Sequence, residues 1–358
     1  MKRLTITPAG VALLALLAGA CSGEPPSAVA PANADLARAP AEYTALDVGA
    51  LIGDYTSQAM GVNDAGDVAG VYCCDPDDGA FVVLGSGSVI KMDGAALGIS
   101  NGSPAYVAGS SGGAPVRWSV ADATQPLFLE LTAAEVTSES FGTARGVNTA
   151  GATVGNVGVN PAMWAADGSR VPNPIAIPAG YGSGEGRGIN DAGLAVFQFT
   201  VAGGGALNRA YLRLASGTSI ELPPQAGDVT TFANDISDVM NGVVHVAGTT
   251  QSSELVSRSV RWTLDAVSGQ MLATAVLPRT NSHGLAASDA GGIAGFIDRR
   301  QGFESYLWRG AEVLKLAAPK GGNSARAWAM SRSGEYVAGR AIFRGLGGRA
   351  VRWTITTP

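Results

Sequence analysis

One phrase recurs seven times along the chain: "AMGVNDAGDVAG", "ALGISNGSPAYVAG", "ARGVNTAGATVG", "GRGINDAGLAVF", "ANDISDVMNGVVHVAG", "HGLAASDAGGIAG" and "AWAMSRSGEYVAG". The copies end on Gly70, Gly109, Gly155, Gly248, Gly295 and Gly339, with Phe197 in that place in the fourth, and successive ends lie 39 to 51 residues apart. A period of that length marks a repeat architecture in which each copy is one supersecondary unit. A second phrase follows each first one: "GAFVV", "PVRW", "PAMW", "AYLR", "SVRW", "SYLW" and "AVRW". It sets Trp118, Trp164, Trp262, Trp308 and Trp353 at one equivalent position and leaves Trp328 elsewhere.

Each copy holds the material of a four-stranded antiparallel unit. The residues leading to the Asx make a first strand. Asn63, Asp64 and Gly66 then form a tight turn, because Asx side chains bond nearby backbone and Gly accepts positive φ. A second strand runs through "DVAGVY", where the Gly is expected to allow close approach of a neighbouring sheet. The Trp strand and an outer strand complete the unit. One such sheet leaves both faces apolar, and stacking the units radially covers them. The sequence therefore predicts an all-β, seven-bladed β-propeller of four-stranded antiparallel blades. "YTALDVGALIG" at 43–53 reads as a fourth strand placed before the first copy, while the seventh copy stops at "AVRWTITTP" after its third. Residues 43–49 are thus expected to complete the last blade. An open β-solenoid or two smaller sandwiches would use the same repeats without closing a ring.

Composition agrees with short strands and many turns. The 358 residues include 50 Gly and 18 Pro with only 15% charged residues, and no 3.6-residue period persists past the first twenty positions. Those first positions, "MKRLTITPAGVALLALLAGAC", carry two basic residues and then an apolar run too short to span a bilayer, the pattern of a secretory signal peptide. "LLAGAC" resembles the bacterial lipobox, in which the Cys is diacylated and becomes the mature N-terminus. The resemblance makes Cys21 the lipidated residue and 1–20 the signal peptide; an ordinary cleaved signal with an incidental Cys is the alternative. Ser22 after the Cys resembles the signal for outer-membrane sorting. Residues 21–42 follow as a Pro-, Ala- and Ser-rich tether, and 43–358 form the folded domain. Removal of Lys2 and Arg3 lowers the 24 basic residues to 22 against 29 acidic ones, a net charge of −7. No basic stripe calls for a nucleic-acid partner.

The remaining cysteines, Cys73 and Cys74, are adjacent and can either close a vicinal disulfide or stay as thiols. "CCDPDDG" lacks a second Cys pair at ligand spacing, and His245 and His283 lie far along the chain, so no metal site is expected. No cofactor motif is present either.

The pattern G-I-N-x-x-G-x-V-x-G followed by an aromatic-x-Trp strand, with the opening "YTALDVGAL", resembles the HAF-type extracellular repeat of bacterial secreted proteins. The resemblance covers nearly all of 43–358 and weakens in the fifth copy, which inserts "DVMNG". It implies export and a propeller-like repeat, and it implies no defined activity.

The repeated Asx residues supply one Asp at most per turn, which suits turn capping better than calcium, whose loops converge several oxygens on one ion. No nucleophile elbow or sialidase Asp box occurs. His245, in "VVHVAG", is expected to be a strand residue satisfied by a neighbour, and His283, in "NSHGLA", to be exposed. The expected role is accordingly a non-enzymatic binding or scaffold module, monomeric, tethered to the cell envelope or else secreted, whose partner is an envelope protein or glycan and whose membrane contact is the N-terminal lipid alone. A polysaccharide hydrolase or lyase on the same scaffold is the alternative. Recognition is expected on the face of the variable loops. There, Arg299, Arg300, Arg340, Arg344 and Arg349 of the last two units would form a cationic sector beside Asp75, Asp77 and Asp78 of the first.

Overall fold

Strand pairing follows the repeat. The structure is a computed structural model and describes residues 43–53, 56–73, 78–132, 135, 141–172, 174–202, 207–345 and 347–356. Cys21, Cys74, Asp75 and Asp77, with the signal peptide and tether, lie outside the described residues. Strand β1 (Tyr43–Asp47) runs into a single helical turn, α1 (Val48–Ile52). Blade 1 is β2 (Thr56–Val62), β3 (Val68–Cys73), β4 (Gly79–Val83) and β5 (Val89–Met92). Blade 2 is β6 (Ala95–Ile99), β7 (Tyr106–Ser111), β8 (Ala114–Ser119) and β9 (Asp122–Phe128). Blade 3 has β10 (Gly142–Val147), β11 (Thr153–Val157) and β12 (Asn160–Trp164). Blade 4 is β13 (Tyr181–Ile189), β14 (Ala195–Val201), β15 (Asn208–Arg213) and β16 (Ser219–Leu222). Blade 5 is β17 (Asp228–Ile236), β18 (Val243–Ser252), β19 (Ser257–Asp265) and β20 (Met271–Val276). Blade 6 is β21 (Ser282–Ala287), β22 (Ile293–Arg299), β23 (Gly302–Arg309) and β24 (Glu312–Leu316). Blade 7 is β25 (Gly322–Met330), β26 (Tyr336–Phe343) and β27 (Gly347–Ile355), with β1 as its fourth strand.

The first strand of every blade is innermost, and these seven strands contact one another in an unbroken circle that includes β25 with β2. The chain is therefore a closed seven-bladed β-propeller. Its clasp is shorter than the sequence suggested: β1 ends at Asp47, which pairs with Val351, and the carboxylate of Asp47 then caps α1 by accepting the N–H of Ala50 at 3.0 Å. Blade 3 departs from the four-stranded rule. After β12 only an isolated bridge, Trp164 with Arg170, continues the sheet. Pro172, Pro174 and Pro178 follow, and proline has no N–H to donate to a ladder.

Apolar side chains fill all seven inter-blade spaces, and the repeated tryptophans anchor five of them; Trp164, Trp262 and Trp353 are fully buried. Each of these three indoles also donates to the preceding blade just past its outer strand, to the carbonyls of Glu130, Pro223 and Ala317. In the "RW" copies the preceding arginine reaches the other way. Arg117, Arg261 and Arg352 donate to the carbonyls of Gly151, Gly291 and Gly66, the positive-φ glycines in the first turn of the following blade. The dipeptide is thus a two-way clamp.

The closing glycine of each phrase serves its own sheet rather than a neighbouring one. A Cβ on Gly155 would lie 1.8 Å from the carbonyl oxygen of Thr143 on the inner strand of the same blade. The inner strand is crowded there because it carries a β-bulge. In the fourth copy, where Phe197 replaces this glycine, its partner in the register is itself a glycine, Gly186.

Candidate functional site

All seven inner strands bulge at the same place, and a bulge leaves one residue outside the ladder. The extra residues are Met60, Leu97, Arg145, Arg187, Asn234, Leu285 and Trp328, and all of them line one cavity of about 130 Å³ on the propeller axis. The residues flanking the bulges are Ala or Gly, with Asp235 the exception, because the inner strands nearly touch: a Cβ on Gly61 would lie 2.9 Å from the backbone N of Ile99 in the next blade. The bulged side chain has no such restriction. Going round the closed ring, Leu285, Trp328, Met60 and Leu97 form an apolar arc, and Arg145, Arg187 and Asn234 complete the circle as a polar one.

The polar arc is built around a shared carboxylate. Glu185 stands two residues before Arg187 on β13, and its carboxylate reaches that side chain. Its Oε2 lies 2.9 Å from Arg145 Nε and its Oε1 2.7 Å from Arg187 Nη2, so two guanidiniums share one carboxylate. Burial lowers the pKa of Arg187; Glu185 opposes that shift and the charge of Arg145 adds to it. The Nε atom of Arg187 and the indole Nε1 of Trp328 are buried without a hydrogen-bond partner. Asn234 is tied down, donating to the Gly284 carbonyl at 2.8 Å.

The floor of the cavity is the ring of first turns. Asn63, Asn148 and Asn190 accept backbone N–H groups of their own turns and donate to Ser100, Asn190 and Ser237 of the next blade. The residue after the Asx continues the pattern: the N–H groups of Thr149, Asp191 and Asp238 reach the Oδ1 atoms of Asp191, Asp238 and Asp289. At the seam the N–H of Ser333 reaches Asp64 Oδ1 at 2.8 Å. The repeated Asx residues therefore cap turns and link blades. Among the described residues no three His, Cys, Asp or Glu side chains converge as metal ligands. Arg332 spans this floor from blade 7, with Nη1 3.3 Å from both carboxylate oxygens of Asp235 and Nε 3.8 Å from Asp238 Oδ2. Burial raises the pKa of Asp238, and burial raises that of Asp289 to about 6.

Next to the axis, aromatic and cationic side chains of blades 6 and 7 pack on one another. His283 stacks on Phe296, with centroids 4.7 Å apart, and its Nε2 lies 3.0 Å from Asp298 Oδ2. It is half-buried rather than exposed. His245 is held by Thr263 Oγ1 at 3.1 Å, as its strand position suggested. Arg326, two residues before Trp328 on β25, lies over Phe303 at 3.3 Å and over Phe296 at 4.8 Å.

The five arginines of the expected cationic sector do not form one group. Arg349 pairs with Asp47 at 3.0 Å and stacks on Phe343 at the seam, while Arg340, opposite Ala350 in the register, projects from the other face of blade 7. Arg299 pairs with Glu304 at 3.1 Å, a carboxylate that Lys315 shares, and Arg300 and Arg344 are exposed. Asp78 is exposed, and Cys73 is disulfide-bonded. The residues at the axis escaped the sequence reading, although one signal marked them: the bulge is the variable position inside an otherwise uniform phrase.

No family model matches this chain, and no curated protein matches it. Among solved structures, it is similar to the β-propeller domain of the Trilobed protease from Pyrococcus furiosus, with 10% identity, 83% of this chain and 94% of that one covered, and a TM-score of 0.47. The Dos1 propeller is similar at 8% identity, covering 87% and 95%, with a TM-score of 0.47. TolB from Acinetobacter baumannii is similar at 11% identity, covering 80% and 63%, with a TM-score of 0.42. What this chain shares with them is the β-propeller fold.

Proposed function

We propose that this chain is a binding module of the bacterial cell envelope, held there by lipid on Cys21, that takes a ligand at the propeller axis without chemically altering it. One observation carries the reading. Seven equivalent positions face one cavity, and these seven differ in a way that divides the ring into an apolar arc and a polar arc that carries Arg145 and Arg187. Uniform flanks with diverse tips suit recognition on a rigid scaffold. Glu185, held by two guanidiniums, is unsuited to carry a proton for catalysis. The Asp carboxylates of the floor are occupied as turn acceptors. The HAF-type phrases support export, and the acidic chain supports an envelope rather than a nucleic-acid partner.

The test is a screen of envelope and exogenous glycans and of envelope protein fractions, scored for binding and for product release. Binding without turnover, weakened by Arg187→Met in a variant that keeps the wild-type melting temperature, is the expected result. Released product, or binding that ignores the axis, would replace the reading with the hydrolase or lyase.

A further inference from the structure

Two arginines of blade 7 stand side by side next to the aromatic cluster of blade 6, with no described carboxylate in ion-pair contact with either. Arg326 on β25 and Arg340 on β26 are direct partners in the antiparallel register, so their side chains emerge side by side on one face. Like charges in that arrangement repel, and Arg340 together with burial lowers the pKa of Arg326. Both Nε atoms are buried without a hydrogen-bond partner, and no described carboxylate forms an ion pair with either residue. Aromatic faces hold Arg326 from behind. Arg340 rests on Gly348, where a Cβ would lie 1.8 Å from its Nε, so that glycine leaves the space the guanidinium occupies. Asp298 is near enough to influence Arg326 electrostatically, but its carboxylate is engaged by His283.

We infer that Arg326 and Arg340 form a subsite for the carboxylate of a small acidic ligand. Two positive charges against the one of Asp298 leave a net +1, which matches a monoanion rather than a dianion. A planar carboxylate can accept from guanidinium edges in the fork geometry that makes such pairs strong. The neighbouring Trp328, whose indole N–H is unpartnered, connects the subsite to the axial cavity. The inference rests on reading the axis as a binding site and adds the chemistry of one ligand group.

The probes are galacturonate, acetate, galactose and inorganic sulfate, titrated separately into the purified mature chain and followed by calorimetry and tryptophan fluorescence. Galacturonate and acetate should bind, galacturonate more tightly if a sugar ring occupies the neighbouring cavity; galactose should not bind measurably. Arg340→Gln should weaken galacturonate by about tenfold or more, the value of a charge-assisted contact. Gly348→Ala, which displaces the guanidinium while keeping its charge, should do the same, and Arg299→Ala with Arg300→Ala should leave affinity within about twofold. Arg326→Gln removes cation–π support, so Arg340→Gln decides the matter if that variant fails to fold. Absence of carboxylate binding by the folded wild type would overturn the subsite, as would tighter binding of sulfate or indifference to Arg340→Gln. If the glycan and protein screen gives axial binders while the carboxylates do not bind, the subsite fails and the broader reading stands.

Discussion

Arg352, on the last strand of the chain, donates to the backbone carbonyl of Gly66 in the first turn of the first blade, 286 residues away in sequence. Arg117 makes the equivalent bond to Gly151, and Arg261 to Gly291, between blades joined directly by the chain. The seam thus uses the same contact as the continuous interfaces, with the β1–β27 ladder standing in for covalent connection.

Arg352→Ala should therefore lower stability by about 1.5–3 kcal/mol, the range for a hydrogen bond to a charged group, measured by denaturant unfolding. Deleting 43–47 should be worse. It exposes the edge of β27 and should produce aggregation visible by light scattering. A deletion variant that stays monomeric with an unchanged melting temperature would show that the ring does not depend on its clasp.

Trp164→Ala should cost about 3–5 kcal/mol, because it opens a cavity between blades 2 and 3 and leaves the Glu130 carbonyl without its indole donor. Iodide quenching should reach Trp328 and spare the five core indoles. Quenching of most of the fluorescence would contradict the packing.

Asp289 sets a pH dependence with a defined sign. Its pKa is about 6 in the folded chain against 3.8 for the ordinary residue, so the folded state binds its proton more tightly than the unfolded state does. The resulting stabilisation is complete below about pH 4 and is lost as pH rises through about 6; Asp238 is shifted the same way. Asp289→Asn keeps an Oδ1 acceptor for the Asp238 N–H and removes the charge. It should stabilise the chain by about 1 kcal/mol at pH 8, the site being partly screened by solvent, and change little at pH 4. Melting temperatures across that range give the answer.

Cys21→Ala should release the protein from membranes and abolish incorporation of a fatty-acid analogue. Unlabelled wild type in an unchanged membrane fraction would reject lipidation.

Much of this architecture was legible because the contacts that build it repeat. Trp164, Trp262 and Trp353 could be assigned to the core because one position wants one residue type, and the Asx turns because each copy writes the same polar punctuation. The helical turn at Val48–Ile52 was missed because "VGALI" is apolar and continues the strand pattern, and only the cap from Asp47 ends the ladder there. The sequence reading expected a fourth strand in blade 3 and took no account of Pro172, Pro174 and Pro178, which stand where it would run. The site was harder to see. Arg145, Glu185 and Arg187 come together because bulges in two neighbouring blades turn side chains toward one axis, and Arg340 and Arg349 separate because strand alternation sends them to opposite faces. Neither relation is present in sequence spacing.

The clasp has a mechanical side as well. Residues preceding Tyr43 lead directly into β1, so any tension carried along the N-terminal segment enters the ring at its one non-covalent joint. That joint is five register pairs long, and the Asp47–Arg349 ion pair lies at its far end. If the proposed anchor at Cys21 and an axial ligand both hold, the fastener stands in series with the anchor, and a sufficient pull would unfasten blade 7 before it strained any other blade.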